Sequence, residues 1–253
     1  MQENVIAIDG YSYVGKSTIA RSLARRTGFT YINTGHMYRA VAKRVLDDRI
    51  PLEDKKNLLA MVENTTFEFR NAGKECRTIV NGLDWTTALD GDATIRQTPP
   101  IAAMLEVRDI LTQRQREFAS RQTIIMEGRD IGTIVFPKAQ WKFFVTAGFE
   151  VRTMRIYKSL SPEEKKKVSA NDAKFVERLK YLDQTDLNRT VAPLRKALDA
   201  IEYDNSGSPS EEEDAIILHY CMVGLEPNVS KLVRYSQEFL QNAQRELAHG
   251  KHR

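Results

Sequence analysis

Cysteine is scarce: the 253 residues hold two, Cys76 and Cys221, far apart and in no disulfide or metal-ligand spacing. A disulfide scaffold and a cysteine-held zinc site are excluded, and both thiols read as inert. Long apolar runs are lacking too. The longest near the end, AIILHYCMVGL, includes His219 and is too short to cross a bilayer. The opening MQENVIAIDG carries an acid, where a secretory signal has basic residues, and no cleavage site. A cytoplasmic protein with no membrane segment is expected. Internal repeats and low-complexity tracts are missing. No charge sign dominates, since 38 basic residues face 34 acidic ones for a net charge of +4. That small excess suits anionic substrates. Nucleic-acid binding is not expected, because the short basic tail His249 to Arg253 reads as solvated.

What is present is a globular composition, 42% hydrophobic and 28% charged. Val5 to Ile8 is an unbroken apolar run, the pattern of a strand buried on both faces of a parallel sheet. A glycine-rich turn follows, and Ser17 to Thr27 puts Ile19, Ala20, Leu23 and Ala24 on one helical face before the stop at Gly28. Residues 29–33 read as a strand, Met37 to Leu46 and Pro51 to Asn64 as helices. Alternation in 65–70 and the Asn81-Gly82 turn signal mark 65–90 as an antiparallel insertion. Pro100 to Ser120 reads as one helix, Thr123 to Met126 and Trp141 to Val145 as core strands, and Phe149 to Leu160 as helix. A charged loop over 161–172, a helix from Ala173 to Leu187 and a last strand over 200–204 follow. Ser210 to Glu213 opens a further helix with capping-box spacing, and Asn228 to Ala248 is amphipathic. Strands alternating with helices imply an α/β fold with a parallel sheet covered on both faces.

Gly10-Tyr11-Ser12-Tyr13-Val14-Gly15-Lys16-Ser17, continued by Thr18, fits G-x-x-x-x-G-K-[ST] between a buried strand and an amphipathic helix. The glycines let backbone amides converge on phosphate oxygens, and the helix adds its positive end. The pattern assigns Lys16 to the β- and γ-phosphates of a nucleoside triphosphate, and the Ser17 hydroxyl to Mg²⁺. Tyr11 and Tyr13 are bulky for such a loop and must point outward or stack. Three more segments follow strands or line a long helix: Asn33 to Arg39, Val107-Arg108, and Glu127 to Thr133. Ligands of open α/β sheets bind at such strand ends.

From about Val5 to Gly207 the chain resembles the cytidylate kinases, a branch of the nucleoside monophosphate kinases. The resemblance rests on IAIDG with the phosphate loop, TGHMYRA, VRDILTQRQREFA, EGRDIGTIVFPKA and DQTDLNRTVAPL. It implies a P-loop NTPase three-layer fold with a five-stranded parallel sheet. By residue number, 1–64, 99–150 and 191–224 would form the core, 65–98 a small acceptor-binding insertion, and 151–190 a helical lid. Residues 225–253 would be a helical extension, and the chain a monomer or homodimer. The substrates implied are ATP, with Mg²⁺, and CMP or dCMP.

On this resemblance Arg129 and Asp130, flanked by Gly128, would read the cytosine edge, the acid accepting from the amine and the guanidinium donating to ring acceptors. A surface ion pair is the plain structural alternative. Thr34, Arg39 and Arg108 would fix the acceptor, with the two arginines clamping its phosphate; alone, Arg108 would read as a solvated helix position. Glu127 is a Mg²⁺ candidate or a simple cap, with Asp9 a weaker one. Arg152, Arg155 and Arg189 stand where lid arginines are expected to cover the transferring group, and Asp186 matches a substrate-binding acid. The chain departs from the family at Ile156, Leu182 and Thr185, where basic residues are usual, and Arg178 and Lys180 lie close enough in sequence to compensate. Those departures leave two other readings: a P-loop kinase for another small acceptor, and a weakly catalytic nucleotide-binding protein.

Overall fold

The computed structural model describes residues 3–72, 75–169 and 172–207. Five strands form a parallel sheet: β1 (Glu3–Gly10), β2 (Thr30–Asn33), β6 (Ile124–Gly128), β7 (Ala139–Thr146) and β8 (Ile201–Asp204). Their spatial order is β2-β6-β1-β7-β8, and every pairing is parallel. The strand at the centre is the one whose sequence is apolar without a break. Its side chains alternate between the two layers that cover the sheet. Ile6 and Ile8 pack with Ile19 and Leu23 of α1 (Lys16–Thr27). Val5 and Ala7 pack on the other face with Met37 and Val41 of α2 (Thr34–Asp47), Leu58 of α3 (Lys55–Glu63), and Leu111 of α5 (Leu105–Ala119).

Between α3 and α5 lie the antiparallel strands β3 (Phe67–Ala72), β4 (Glu75–Val80) and β5 (Leu83–Asp84), then a turn of 3-10 helix at Ala88–Asp90. The expected Pro100–Ser120 helix is two helices instead, α4 (Asp92–Ala102) and α5, with Met104 extended between them. Pro99 and Pro100 lie inside α4 and remove two ladder donors. Arg108 supplies a substitute where the ladder stops, donating from Nη1 to the Ala102 carbonyl at 3.1 Å. After the sheet come α6 (Phe149–Ser159), α7 (Pro162–Lys165), a single capped turn inside the expected charged loop, and α8 (Ala173–Asn188). Ile156 packs there with Phe175 and Leu179, and Tyr13 of the phosphate loop rests on the same cluster. The helix expected from Ser210 and the amphipathic segment Asn228 to Ala248 lie outside the described residues. Among the described residues no helix is long and apolar enough to cross a membrane.

Candidate active site

Strand register brings three loops to one edge. Asp9 of β1 stands beside Gly128 of β6, and Asn33 of β2 beside Glu127. The phosphate loop, the turn at Arg129 and the start of α2 therefore leave the sheet side by side. They open into a cavity of about 880 Å³, roofed by residues of α4, α6 and α8.

The loop's backbone needs its glycines. Gly10 has φ 147°, and a Cβ there would stand 2.1 Å from the Val145 carbonyl oxygen of β7. Gly15 has φ 96°, with the Asn205 amide where its Cβ would be. Asn205, just past β8, donates to the Val14 carbonyl at 2.9 Å and so holds the loop from outside. Both tyrosines pack on neighbouring side chains, and only Tyr13 also lines the cavity. Tyr11 meets Phe144 edge-on at 6.0 Å, with the Arg152 guanidinium 5.1 Å above its ring. Tyr13 is left-handed, φ 61°, and joins the α6–α8 cluster.

Lys16 is buried and folds back, donating from Nζ to the Tyr11 carbonyl at 2.5 Å. Burial, with the Arg129 guanidinium nearby, lowers its pKa to about 7. Beside it Ser17 Oγ donates to Glu127 Oε1 at 2.7 Å, and the Tyr31 hydroxyl donates to the same oxygen. The other oxygen, Oε2, is buried with no hydrogen-bond partner among the described residues. A buried carboxylate oxygen left free beside a phosphate-loop serine fits a hydrated cation. Among the described residues no cluster of three or more His, Cys, Asp or Glu could cage a metal by itself. Asp9 is used differently. Its oxygens accept from the Ile131 and Gly132 amides at 2.9 and 2.7 Å, pinning the turn that follows Asp130. Burial pushes Asp9 up to about 7, against those two amide bonds.

Arg129 and Asp130, adjacent in sequence, part company. Arg129 reaches into the cavity, donating from Nε to Asp186 at 2.6 Å and from Nη2 to Ser12 Oγ at 2.7 Å. Burial opposes its charge, but the carboxylates of Asp186, Glu127 and Asp9 outweigh it and raise its pKa. Asp130 turns the other way and pairs with Arg108; the two side chains are only 7% and 4% exposed. Arg108 also lies 5.4 Å from the Tyr38 ring. The pair is buried rather than among the residues lining the cavity, as is Thr34, whose Oγ1 donates to the Glu127 carbonyl at 2.7 Å. Gly128, which lines the cavity, has no room for a Cβ: Ile131 and Thr34 atoms lie within 2.8 Å of where it would be.

The lid arginines divide similarly. Arg152 does not line the cavity; it donates to the Ser12 carbonyl and to both oxygens of Asp183. Arg155 lines it and donates to the Tyr13 and Asn205 carbonyls at 3.4 and 2.7 Å. Arg189 lines it too, 3.9 Å from Asp186, with Nε and Nη2 lacking hydrogen-bond partners. Its burial lowers its pKa, partly offset by Asp186. Arg39 lines the cavity while paired with Asp90 at 2.5 Å. Of the two compensating candidates, Arg178 lines the cavity and Lys180 does not. Residues not foreseen as part of the site are Tyr31 and Asn205, which lie outside any motif, and Asp183, which opens the DQTDLNRTVAPL run but was given no role there.

A phosphate loop at the end of the central strand, sheet order 2-3-1-4-5 when the five parallel strands are counted along the chain, and a ring of arginines opposite define a P-loop phosphotransferase. The family model described as cytidylate kinase matches residues 6–221, and the chain belongs to that family. A cytidylate kinase of Parabacteroides distasonis is 39% identical over 86% of this chain and 96% of its own length. Those of Clostridium acetobutylicum and Bacillus subtilis are 39% and 35% identical, over 85% and 82% of this chain and 96% and 91% of theirs.

Proposed function

We propose that the protein transfers the γ-phosphoryl group of ATP to CMP or dCMP, giving CDP or dCDP. The observation that carries this reading is a single cavity lined both by phosphate-loop residues and by Arg39, Arg129 and Arg189. Two polyanions repel each other, and a reaction between them needs guanidinium groups placed on both.

In this reading Gly10 to Thr18 wraps the triphosphate, and Lys16 leaves the Tyr11 carbonyl for the β- and γ-phosphates. Arg39, Arg129 and Arg189 take the acceptor phosphate and set it in line with the γ-phosphate. Nε and Nη2 of Arg189, which have no hydrogen-bond partner among the described residues, are the donors most ready for an anion. Arg155 bonds the phosphate loop and closes on the donor phosphates, while Arg152 holds Ser12 in place from behind. Asp186 keeps Arg129 and Arg189 oriented and remains ionised because both guanidiniums overcome its burial. Ser17 and Glu127 would hold the cation that accompanies ATP. When bound, Mg²⁺ neutralises charge on the β- and γ-phosphates.

The Arg108–Asp130 pair, with Thr34 and Gly128, supplies the base subsite. A carboxylate that accepts and a guanidinium that donates are complementary to the amine and ring acceptors of cytosine. Arg108 thereby moves from the phosphate to the base, and Arg129 from the base to the phosphate. The 65–98 insertion and the 151–190 lid approach each other over the acceptor and exclude water, which would otherwise hydrolyse ATP. Arg178, on the lid side of the cavity, replaces part of the charge lost at Leu182 and Thr185.

The test is an ADP-release assay over a panel of nucleoside monophosphates and small metabolites. CMP and dCMP should give turnover well above the acceptor-free rate. Turnover with another acceptor but neither of these, or none with any, overturns the reading.

A further inference from the structure

We infer that Tyr31 is a positioning residue for the cation: its hydroxyl fixes the rotamer of Glu127 so that one carboxylate oxygen is presented to the metal–nucleotide complex. The inference rests on the proposed phosphoryl transfer only in taking Glu127 as facing that cation.

Glu127 sits on β6, a strand whose five residues are all buried, and its carboxylate must be held by something other than water. Two hydroxyls do this. Ser17, the second residue of α1, and Tyr31, on the neighbouring strand β2, both donate to Oε1. Oε2 is left buried and without a partner. Two donors on one oxygen make the carboxylate asymmetric, and the free oxygen is the one with capacity for a ligand. The two holders are not equivalent. The Ser17 hydroxyl is the group that the phosphate-loop pattern assigns to the cation, so on binding it turns its lone pairs to the metal. Tyr31 then remains to hold Oε1.

Tyr31 is built for that task. It is buried, 2% exposed, in the cluster that holds Ile6, Ile8 and Ile125, although it also borders a second cavity with Arg21 and Cys76. Its backbone is tied at both ends: the amide donates to Asn71 Oδ1 at 3.3 Å, and the carbonyl accepts from Cys76 Sγ at 3.2 Å. A donor whose backbone is tied in place is what a carboxylate on a metal requires from its neighbours.

The experiment compares wild type, Tyr31→Phe and Tyr31→Leu in the full chain. Mn²⁺ is the probe, titrated against the ADP complex by electron paramagnetic resonance, with the thermal midpoint of each metal-free protein measured alongside. Loss of an outer hydrogen bond to a metal ligand costs about 10–100-fold in metal affinity. Both variants should therefore bind Mn²⁺–ADP at least about tenfold more weakly, and by similar factors although Tyr31→Leu is the less stable. In steady state Tyr31→Phe should need more Mg²⁺ for half-maximal rate while its KM for CMP holds. Unchanged Mn²⁺ affinity, or affinity that falls in step with the thermal midpoints, overturns the inference. If Tyr31→Phe does not fold, Tyr31→Leu decides on the same criterion. If neither folds, the residue is structural and the inference is refuted. Wild-type turnover of CMP is read separately, so failure here leaves the proposed function standing.

Discussion

Removing Asp130 alone separates stability from recognition. Its carboxylate and Arg108 form a pair whose side chains are 7% and 4% exposed, with Arg108 held further by the Ala102 carbonyl and the Tyr38 face. Asp130→Ala leaves a guanidinium buried with no counter-charge. Breaking such a pair on one side costs about 3–5 kcal/mol, a large share of the roughly 5–15 kcal/mol that holds a domain folded. Removing both charges, as Asp130→Ala with Arg108→Met, deletes the uncompensated ion and should recover about half that loss or more. Urea unfolding of the two singles and the double measures this directly. The kinetic outcome should differ. If the pair reads cytosine, kcat/KM for CMP stays at least a hundredfold down in the double variant, about 2.7 kcal/mol, because a buried base needs both partners. Recovery of CMP turnover along with stability would show that the pair only holds the fold. A loss under about 1 kcal/mol in Asp130→Ala would contradict its burial as an ion pair.

Lys16 gives a pH prediction. Its pKa is lowered to about 7 in the nucleotide-free protein, and triphosphate charge should raise it again. ATP binding should then take up nearly one proton at pH 8 and much less at pH 6, read from calorimetry in buffers of different ionisation enthalpy. Buffer-independent heats at pH 8 would remove the argument, and Lys16→Met should abolish the uptake. Arg178 lines the cavity and Lys180 does not. Arg178→Ala should therefore lower kcat/KM for ATP about tenfold or more, roughly 1.4 kcal/mol, and Lys180→Ala by less than twofold. Equal effects would mean the lid charge is not directional. Gly10→Ala places a Cβ 2.1 Å from the Val145 carbonyl oxygen. It should cost more than about 4 kcal/mol through forced parting of β1 and β7, and a near-wild-type unfolding midpoint would refute that contact.

The parallel sheet was legible because period and punctuation are local. Val5 to Ile8 had to be buried on both faces, and Ile6 and Ile8 do face one layer while Val5 and Ala7 face the other. The phosphate loop and the segment Glu127 to Thr133 were legible as motifs, and the register of β1 against β6 explains why they meet. Side-chain direction was not. Successive residues tend to point to opposite sides, and Arg129 and Asp130 do so, although the glycine beside them suggested a shared ligand. The split between α4 and α5 was missed because neither glycine nor proline marks Ala103 and Met104, and the bond that satisfies the Ala102 carbonyl comes from a side chain, Arg108. Tyr11 and Tyr13, awkward in a phosphate loop, are what fasten it to Phe144 and to the lid cluster. Tyr31 carried no signal at all, since it belongs to a strand by pattern and to the site only through Glu127.

The most direct test of the account is the ratio of kcat/KM for CMP to that for UMP. The two acceptors share sugar and phosphate and differ only where Arg108 and Asp130 are proposed to bind. Uracil presents a carbonyl where cytosine presents the amine, facing a carboxylate that can only accept. The account predicts at least about a hundredfold preference for CMP, abolished in Asp130→Asn, whose amide can donate to that carbonyl. Equal turnover of CMP and UMP by the wild type, or a preference that survives Asp130→Asn, would contradict it.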